Sequence, residues 1–186
     1  MQHTIIALVE NEPGVLTRVA GLFRKRAFNI DSLTVAKTEN PEISRMTIVV
    51  DSNRADASRV MLYLDKLINV IEVTELSQTP MVSRDLAIIK VRTENGDLNQ
   101  VIQLVDIYRA RIVDVSNDTL ITEITGTKDK IDSFIDVLRP IGIVEMARTG
   151  AVAMSRGKTS ESEDEFYQHP ALRRHMEKTE AVLVPA

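Results

Sequence analysis

The sequence predicts an α+β protein of two tandem βαββαβ units with a polar tail. Three observations carry this. Apolar residues switch between the two-residue period of strands and the i, i+3, i+4 spacing of helices, in one order that occurs twice along 186 residues. The short polar segment Ser77-Gln78-Thr79-Pro80 separates the two runs. The chain is 44% hydrophobic and 27% charged, as a globular protein is, until it turns polar and acidic after residue 157.

In the first run, Ile5, Ile6, Ala7, Leu8 and Val9 mark a strand at about 3–10, entering a turn at Pro13-Gly14. A helix at about 14–26 follows, with Val15, Leu16, Val19, Leu22 and Phe23 on one face and Arg18, Arg24 and Lys25 opposite. Strands at about 29–38 and 44–51 flank Asn40-Pro41. Asn53 and Asp56 can cap a helix at about 54–68 striped by Val60, Met61, Leu64 and Leu67, before a strand at about 70–77. The second run gives a strand over Leu86–Val91 and a helix with Leu98, Val101, Ile102 and Val105 on one face. Two strands, Ile112–Val115 and Leu120–Thr125, meet at Asn117-Asp118. A helix striped by Ile131, Phe134, Ile135 and Leu138 and a strand over Ile141–Ala147 complete it. The first loops echo each other, Glu10-Asn11-Glu12-Pro13-Gly14 against Glu94-Asn95-Gly96-Asp97. Two ferredoxin-like domains are expected, at 1–78 and 79–157, with a flexible tail at 158–186.

Composition narrows the function. A net charge of −4 argues against a nucleic-acid binder relying on basicity, and with no Trp and 4% aromatics base-stacking platforms are scarce. With no Cys there is no disulfide, thiolate metal site or thiol nucleophile. The N-terminal stretch lacks the features of a signal peptide and no apolar run approaches 18 residues, so no membrane contact and a cytoplasmic location are expected. Of the histidines, His3 opens a strand and His169 and His175 lie in the tail. Asp129 and Asp132 bracket a helix start, where capping accounts for them. There is no GxGxxG or GxxxxGK. No catalytic or metal-ligating residue is expected.

The first loop reads as a binding site instead. A strand that runs through Asn11-Glu12-Pro13-Gly14 directly into Val15-Leu16 aims free N–H groups and the positive end of a helix dipole above the loop, which suits a small carboxylate. The bland alternative is a tight turn in which Asn11 caps the helix. Asn29 is a second polar candidate only if a neighbouring copy brings it over the loop; by itself it can also end the helix with φ > 0. In this topology the second strand lies at a sheet edge, and Asn29-Ile30-Asp31-Ser32-Leu33-Thr34-Val35-Ala36 has no proline and one charge. Such an edge is expected to pair with a second copy.

These residues resemble a known family. Asn11 through Leu16, Gly21-Leu22-Phe23 and Phe28-Asn29-Ile30-Asp31-Ser32-Leu33 look like an ACT domain, a small amino-acid-sensing module. Thr34-Val35-Ala36, Ser44-Arg45-Met46-Thr47-Ile48, Arg84-Asp85-Leu86, Thr125-Gly126, Ala147-Arg148-Thr149-Gly150 and Met154-Ser155-Arg156-Gly157 extend the likeness to the small regulatory subunit of acetolactate synthase. The resemblance implies an N-terminal ACT domain, a C-terminal ACT-like domain and no catalytic activity. It implies a catalytic large-subunit partner, in which thiamine diphosphate, magnesium and FAD reside, and feedback inhibition by valine in branched-chain amino-acid synthesis. It places the effector between two chains, on Asn11, Glu12, Pro13, Gly14, Val15 and Leu16 of one and Asn29 and Ile30 of the other. The carboxylate would take loop amides, and the ammonium the Asn11 side-chain oxygen or loop carbonyls. The family usually has Arg-Gly where this chain has Arg26-Ala27; if that position needs φ > 0, Ala27 carries strain. An ACT sensor of some other enzyme is the alternative. An RNA-binding module fails because the central strands Ile5-Ile6-Ala7-Leu8 and Thr47-Ile48-Val49-Val50 carry no aromatic.

Overall fold

A computed structural model describes residues 2–51, 57–93 and 97–157. Its elements are β1 (Gln2–Glu10), α1 (Val15–Lys25), β2 (Ile30–Lys37), β3 (Ile43–Asp51), α2 (Ala57–Leu64), β4 (Val70–Glu75), β5 (Met81–Arg92), α3 (Leu98–Tyr108), β6 (Arg111–Val115), β7 (Thr119–Gly126), α4 (Lys128–Leu138), β8 (Ile143–Arg148) and β9 (Val152–Ser155). The expected βαββαβ order is present twice. Asn53, Asp56, the 94–96 part of the second loop and the tail with His169 and His175 lie outside the described residues.

The described residues divide into two compact units, those up to Val82 with Ala153–Gly157, and those within Ser83–Val152. In the first, an antiparallel sheet has the order β2-β3-β1-β4. Strand alternation sends Ile5, Ala7, Val9, Met46, Ile48 and Val50 to one face, where they meet Val15, Val19 and Phe23 of α1 and Ala57, Val60 and Leu64 of α2. Each fully buried aliphatic or aromatic side chain there contributes about 1.5–3 kcal/mol relative to exposure. Helix α2 stops at Leu64, short of the expected 68, because the chain tightens into i→i+3 turns (Leu67 N–H to Leu64 O, Val70 N–H to Leu67 O, both 2.9 Å). Leu67 still packs on the core.

The strand β9, which the periodicity did not predict, pairs with β5 and sets a side chain against the opposite face of the first sheet. Ala153 of β9 is buried with Ile6 and Leu76, with Met81 against them. The Arg45 guanidinium donates Nη2–H to Ala153 O at 3.0 Å, and Arg156 N–H donates to Pro80 O at 2.8 Å. Burial pushes the Arg45 pKa down, with Glu72 and Glu39 pulling it back.

In the second unit the order is β6-β7-β5-β8, and Ala87, Ile89, Val91, Leu120 and Ile124 face Val101 and Val105 of α3 and Ile131, Phe134, Ile135 and Leu138 of α4. Asp132 does not cap α4. It accepts a 2.6 Å bond from Arg148 Nη1, while Arg148 Nε donates to buried Asp85, which also accepts from Gly150 N–H at 3.1 Å. Burial works against the charged Arg148, and its bonds to Asp132 and Asp85 outweigh it, so its pKa rises. The Arg-Asp and Arg-Thr-Gly segments are therefore two halves of one clasp between β5 and β8.

Candidate functional site

The loop between β1 and α1 is held from both sides before it reaches the helix. On one side, Glu10 N–H donates to Asn69 O at 2.9 Å, Asn69 Nδ2 donates to Glu10 Oε2 at 2.6 Å, and Asn69 Oδ1 accepts from Arg18. On the other, Asn11 N–H donates to Glu42 O and Asn11 Nδ2 to Pro41 O, both at 2.7 Å, while Ser44 Oγ donates to Asn11 Oδ1 at 3.1 Å. The carboxamide of Asn11 is thus spent on the β2–β3 turn and makes no cap for α1.

Gly14 takes the N-cap position with φ 89°, in the left-handed region, and no side chain caps the helix. A Cβ there would meet nothing within 4 Å, so glycine answers the backbone conformation and not crowding. Arg18 N–H reaches Gly14 O at 3.0 Å as the first helical bond, and Val15 N–H points at Glu12 O over a long 3.4 Å. Among the described residues the N–H groups of Gly14, Leu16 and Thr17 have no protein partner. These orphan donors, at the positive end of α1, form an anion-seeking cluster on an exposed loop that contains Glu12, Pro13 and Gly14. Thr17 was not among the residues singled out from sequence, since only the cap position shows where the free amides fall. Val15 turns into the core at 4% exposure, whereas Leu16 is 46% exposed and presents its side chain beside the loop.

Asn29 and Ile30 stand elsewhere. Asn29 is exposed, with Nδ2 3.4 Å from Asp31 Oδ1, and among the described residues its own Oδ1 has no partner. It does not terminate α1 with positive φ. That conformation belongs to Ala27, at φ 55°. Strand β2 is the edge of its sheet, as expected. Its register on β3 runs from Ile30↔Val50 to Lys37↔Ser44, so Asn29 precedes one end and the turn that grips Asn11 follows the other. Eight strand residues separate them, roughly 26 Å at a rise of 3.3 Å per residue. One chain does not bring the two halves together.

Among the described residues, no group of three His, Cys, Asp or Glu is placed to hold a metal, and no helix is long and apolar enough to cross a membrane. His3 Nδ1 lies 2.6 Å from Glu75 Oε1, a structural pair between β1 and β4.

Known proteins match this arrangement along nearly all of the described chain. Residues 5–72 fit the model of the acetohydroxyacid synthase small subunit-like ACT domain, and residues 84–157 that of the small subunit of acetolactate synthase. A protein of Archaeoglobus fulgidus named "Probable acetolactate synthase small subunit" is 52% identical over 157 residues, 84% of this chain and 98% of its own. The acetolactate synthase small subunit of Mycolicibacterium smegmatis is 47% identical over 155 residues, 83% of this chain and 91% of its own. The crystal structure of the acetolactate synthase small subunit from Thermotoga maritima is 40% identical, covers 86% of this chain and 99% of its own, and superposes with a TM-score of 0.77. The chain belongs to the acetolactate synthase small-subunit family.

Proposed function

We propose that this chain is the non-catalytic regulatory subunit of a two-component acetolactate synthase, and that it takes valine at a site shared between two copies. The observation that carries the reading is the separation of the half-sites along β2. Two copies pairing antiparallel through their β2 edges would lay the Asn29 end of one strand beside the loop end of the other. The ligand carboxylate would meet the amides at Gly14, Leu16 and Thr17, and a branched side chain would lie on Leu16 and Ile30. The ammonium would go to the Asn11 oxygen, loop carbonyls or the partner copy's Asn29 oxygen. Discrimination among branched-chain amino acids rests on about one methylene of fit, worth roughly 1–3 kcal/mol.

In this reading the first domain (1–78) senses the effector and the second (79–157) makes most of the contact with the large subunit. The large subunit supplies thiamine diphosphate, magnesium and FAD in the cytoplasm, and binding of this chain stimulates it. Inhibition requires valine to favour a less active holoenzyme state, since equal affinity for both states shifts nothing.

Calorimetric titration of the full chain with valine, leucine and isoleucine tests the effector. Valine is expected to bind, and Gly14→Asp, which puts a carboxylate among the amides, is expected to abolish the heat. Wild-type titration by Gly14→Asp would remove the loop from the site. A chain that runs as a monomer at micromolar concentration in light scattering would remove the shared site. Co-purification separates the two partner readings: a large thiamine-dependent protein should come down with this chain.

A further inference from the structure

Two asparagines bracket the proposed site, and their surroundings differ. Asn29 is exposed, with its oxygen unpartnered among the described residues. Asn11 is half-buried and makes three bonds to a turn 30 to 33 residues away, through Glu42 O, Pro41 O and the buried Ser44 hydroxyl. That turn is itself fixed. Thr38 N–H donates to Ile43 O at 2.9 Å, Ile43 N–H to Asn40 O at 3.0 Å and Glu42 N–H to Asn40 Oδ1 at 3.0 Å. The carbonyls that receive Asn11 are therefore held in place before Asn11 arrives.

We infer that Asn11 is a positioning residue, which sets the effector loop on the β2–β3 turn through Pro41 and Ser44 and leaves the ligand ammonium to Asn29 and the loop carbonyls. The inference rests on reading the loop as an effector site. A change in the turn moves the Gly14 amides, because Gly14 follows Asn11 by three residues and no side chain caps the helix between them. Taking Ser44 away costs the loop a buried bond without touching any group that faces the ligand. One lone pair of Asn11 Oδ1 is left over, and a direct-contact role would use it.

The Asp variant separates the two roles. Asn11→Asp keeps the Oδ1 acceptor for an ammonium and gives it negative charge, but it replaces the Nδ2 donor with a second oxygen, which sets a carboxylate against Pro41 O. Valine titration of the full chain is the readout, with the fold of each variant checked by its thermal melt. Positioning predicts that Asn11→Asp weakens valine binding as much as Asn11→Ala does, roughly tenfold or more. It predicts that Ser44→Ala alone weakens binding several-fold, and that the Asn11→Ala/Ser44→Ala double variant is no worse than Asn11→Ala, because the two act as one unit. Faster hydrogen exchange confined to the bonded amides of Asn11, Val15 and Arg18 is expected in Ser44→Ala. Asn11→Asp binding valine as tightly as wild type, with Ser44→Ala unaffected, would overturn the inference. If those two bind normally while Gly14→Asp does not bind, only the positioning role falls. If Gly14→Asp also binds normally, the effector-loop reading falls with it.

Discussion

The two units repeat each other down to their irregularities. Both shift register between the first and last strands, at Leu8/Val9 and Lys90/Val91, and again in the second strand, at Ile30/Ser32 and Ile112/Asp114. Both leave their first helix through an L-residue in the left-handed region, Ala27 at φ 55° and Arg109 at φ 52°. Both join the first strand to the end of the last by a side-chain pair, a His3–Glu75 hydrogen bond in one unit and an Asp85–Arg148 ion pair in the other. They part at the entrance to the first helix. Gly14 enters α1 from φ 89°, whereas Asp97 enters α3 already helical, at φ −68° and ψ −13°. They part again at the second strand, where all five residues of β6 are exposed but β2 keeps Ile30 and Leu33 half-buried against the core. What recurs in both units belongs to the fold; the entrance to the first helix and the second strand are where the proposed effector site departs from it.

The largest expected effect tests these two side-chain pairs. Asp85→Ala leaves Arg148 Nε and the Gly150 N–H without their acceptor and should cost about 3 kcal/mol of stability by denaturant titration. Hydrogen exchange should open the β5–β8 pair while β1–β3 stays protected. His3→Ala, which removes a single contact, should cost no more than about 1 kcal/mol. Equal losses would mean that the Asp85 clasp is only an ordinary pair.

Next comes the entrance to α1. Gly14→Ala meets no atom within 4 Å, so its cost is backbone strain alone, about 1–2 kcal/mol. A thermal melt unchanged from wild type would show that the left-handed entry is dispensable. The smallest effects lie at the helix exits. Ala27→Gly and Arg109→Gly each relieve a left-handed L-residue and should stabilise by about 0.5–1 kcal/mol, the relief being partly offset by a looser unfolded chain. A gain at one position only would break the repeat at that point.

Most of the fold was legible because it rests on local periodicity. The stripe of Val15, Val19 and Phe23, the alternation of Ile5, Ala7 and Val9, and the edge position of β2 all follow from spacing plus topology. The strain at Ala27 was legible as well, from a single departure at a position where glycine is usual. What stayed hidden depends on partners distant in sequence. Asp132 looked like a cap until Arg148, 16 residues on, claimed it, and the capping reading of Asn11 fell to Pro41 and Ser44 in the same way. β9 escaped notice because four residues are too few to show a period.

That short strand changes how the gene can be cut. The first unit holds residues on both sides of the second, so in sequence Ser83–Val152 is an insertion with its two ends joined to one host. A stop after Gln78 would therefore bare Ile6 and Leu76 and deprive the Arg45 guanidinium of its Ala153 carbonyl. Excising Ser83–Val152 instead keeps Ala153, but it cuts through β5, the strand with which β9 pairs. A duplication that once produced two equal repeats would have had to extend its second copy by β9, so that the later half of the chain completes the earlier one.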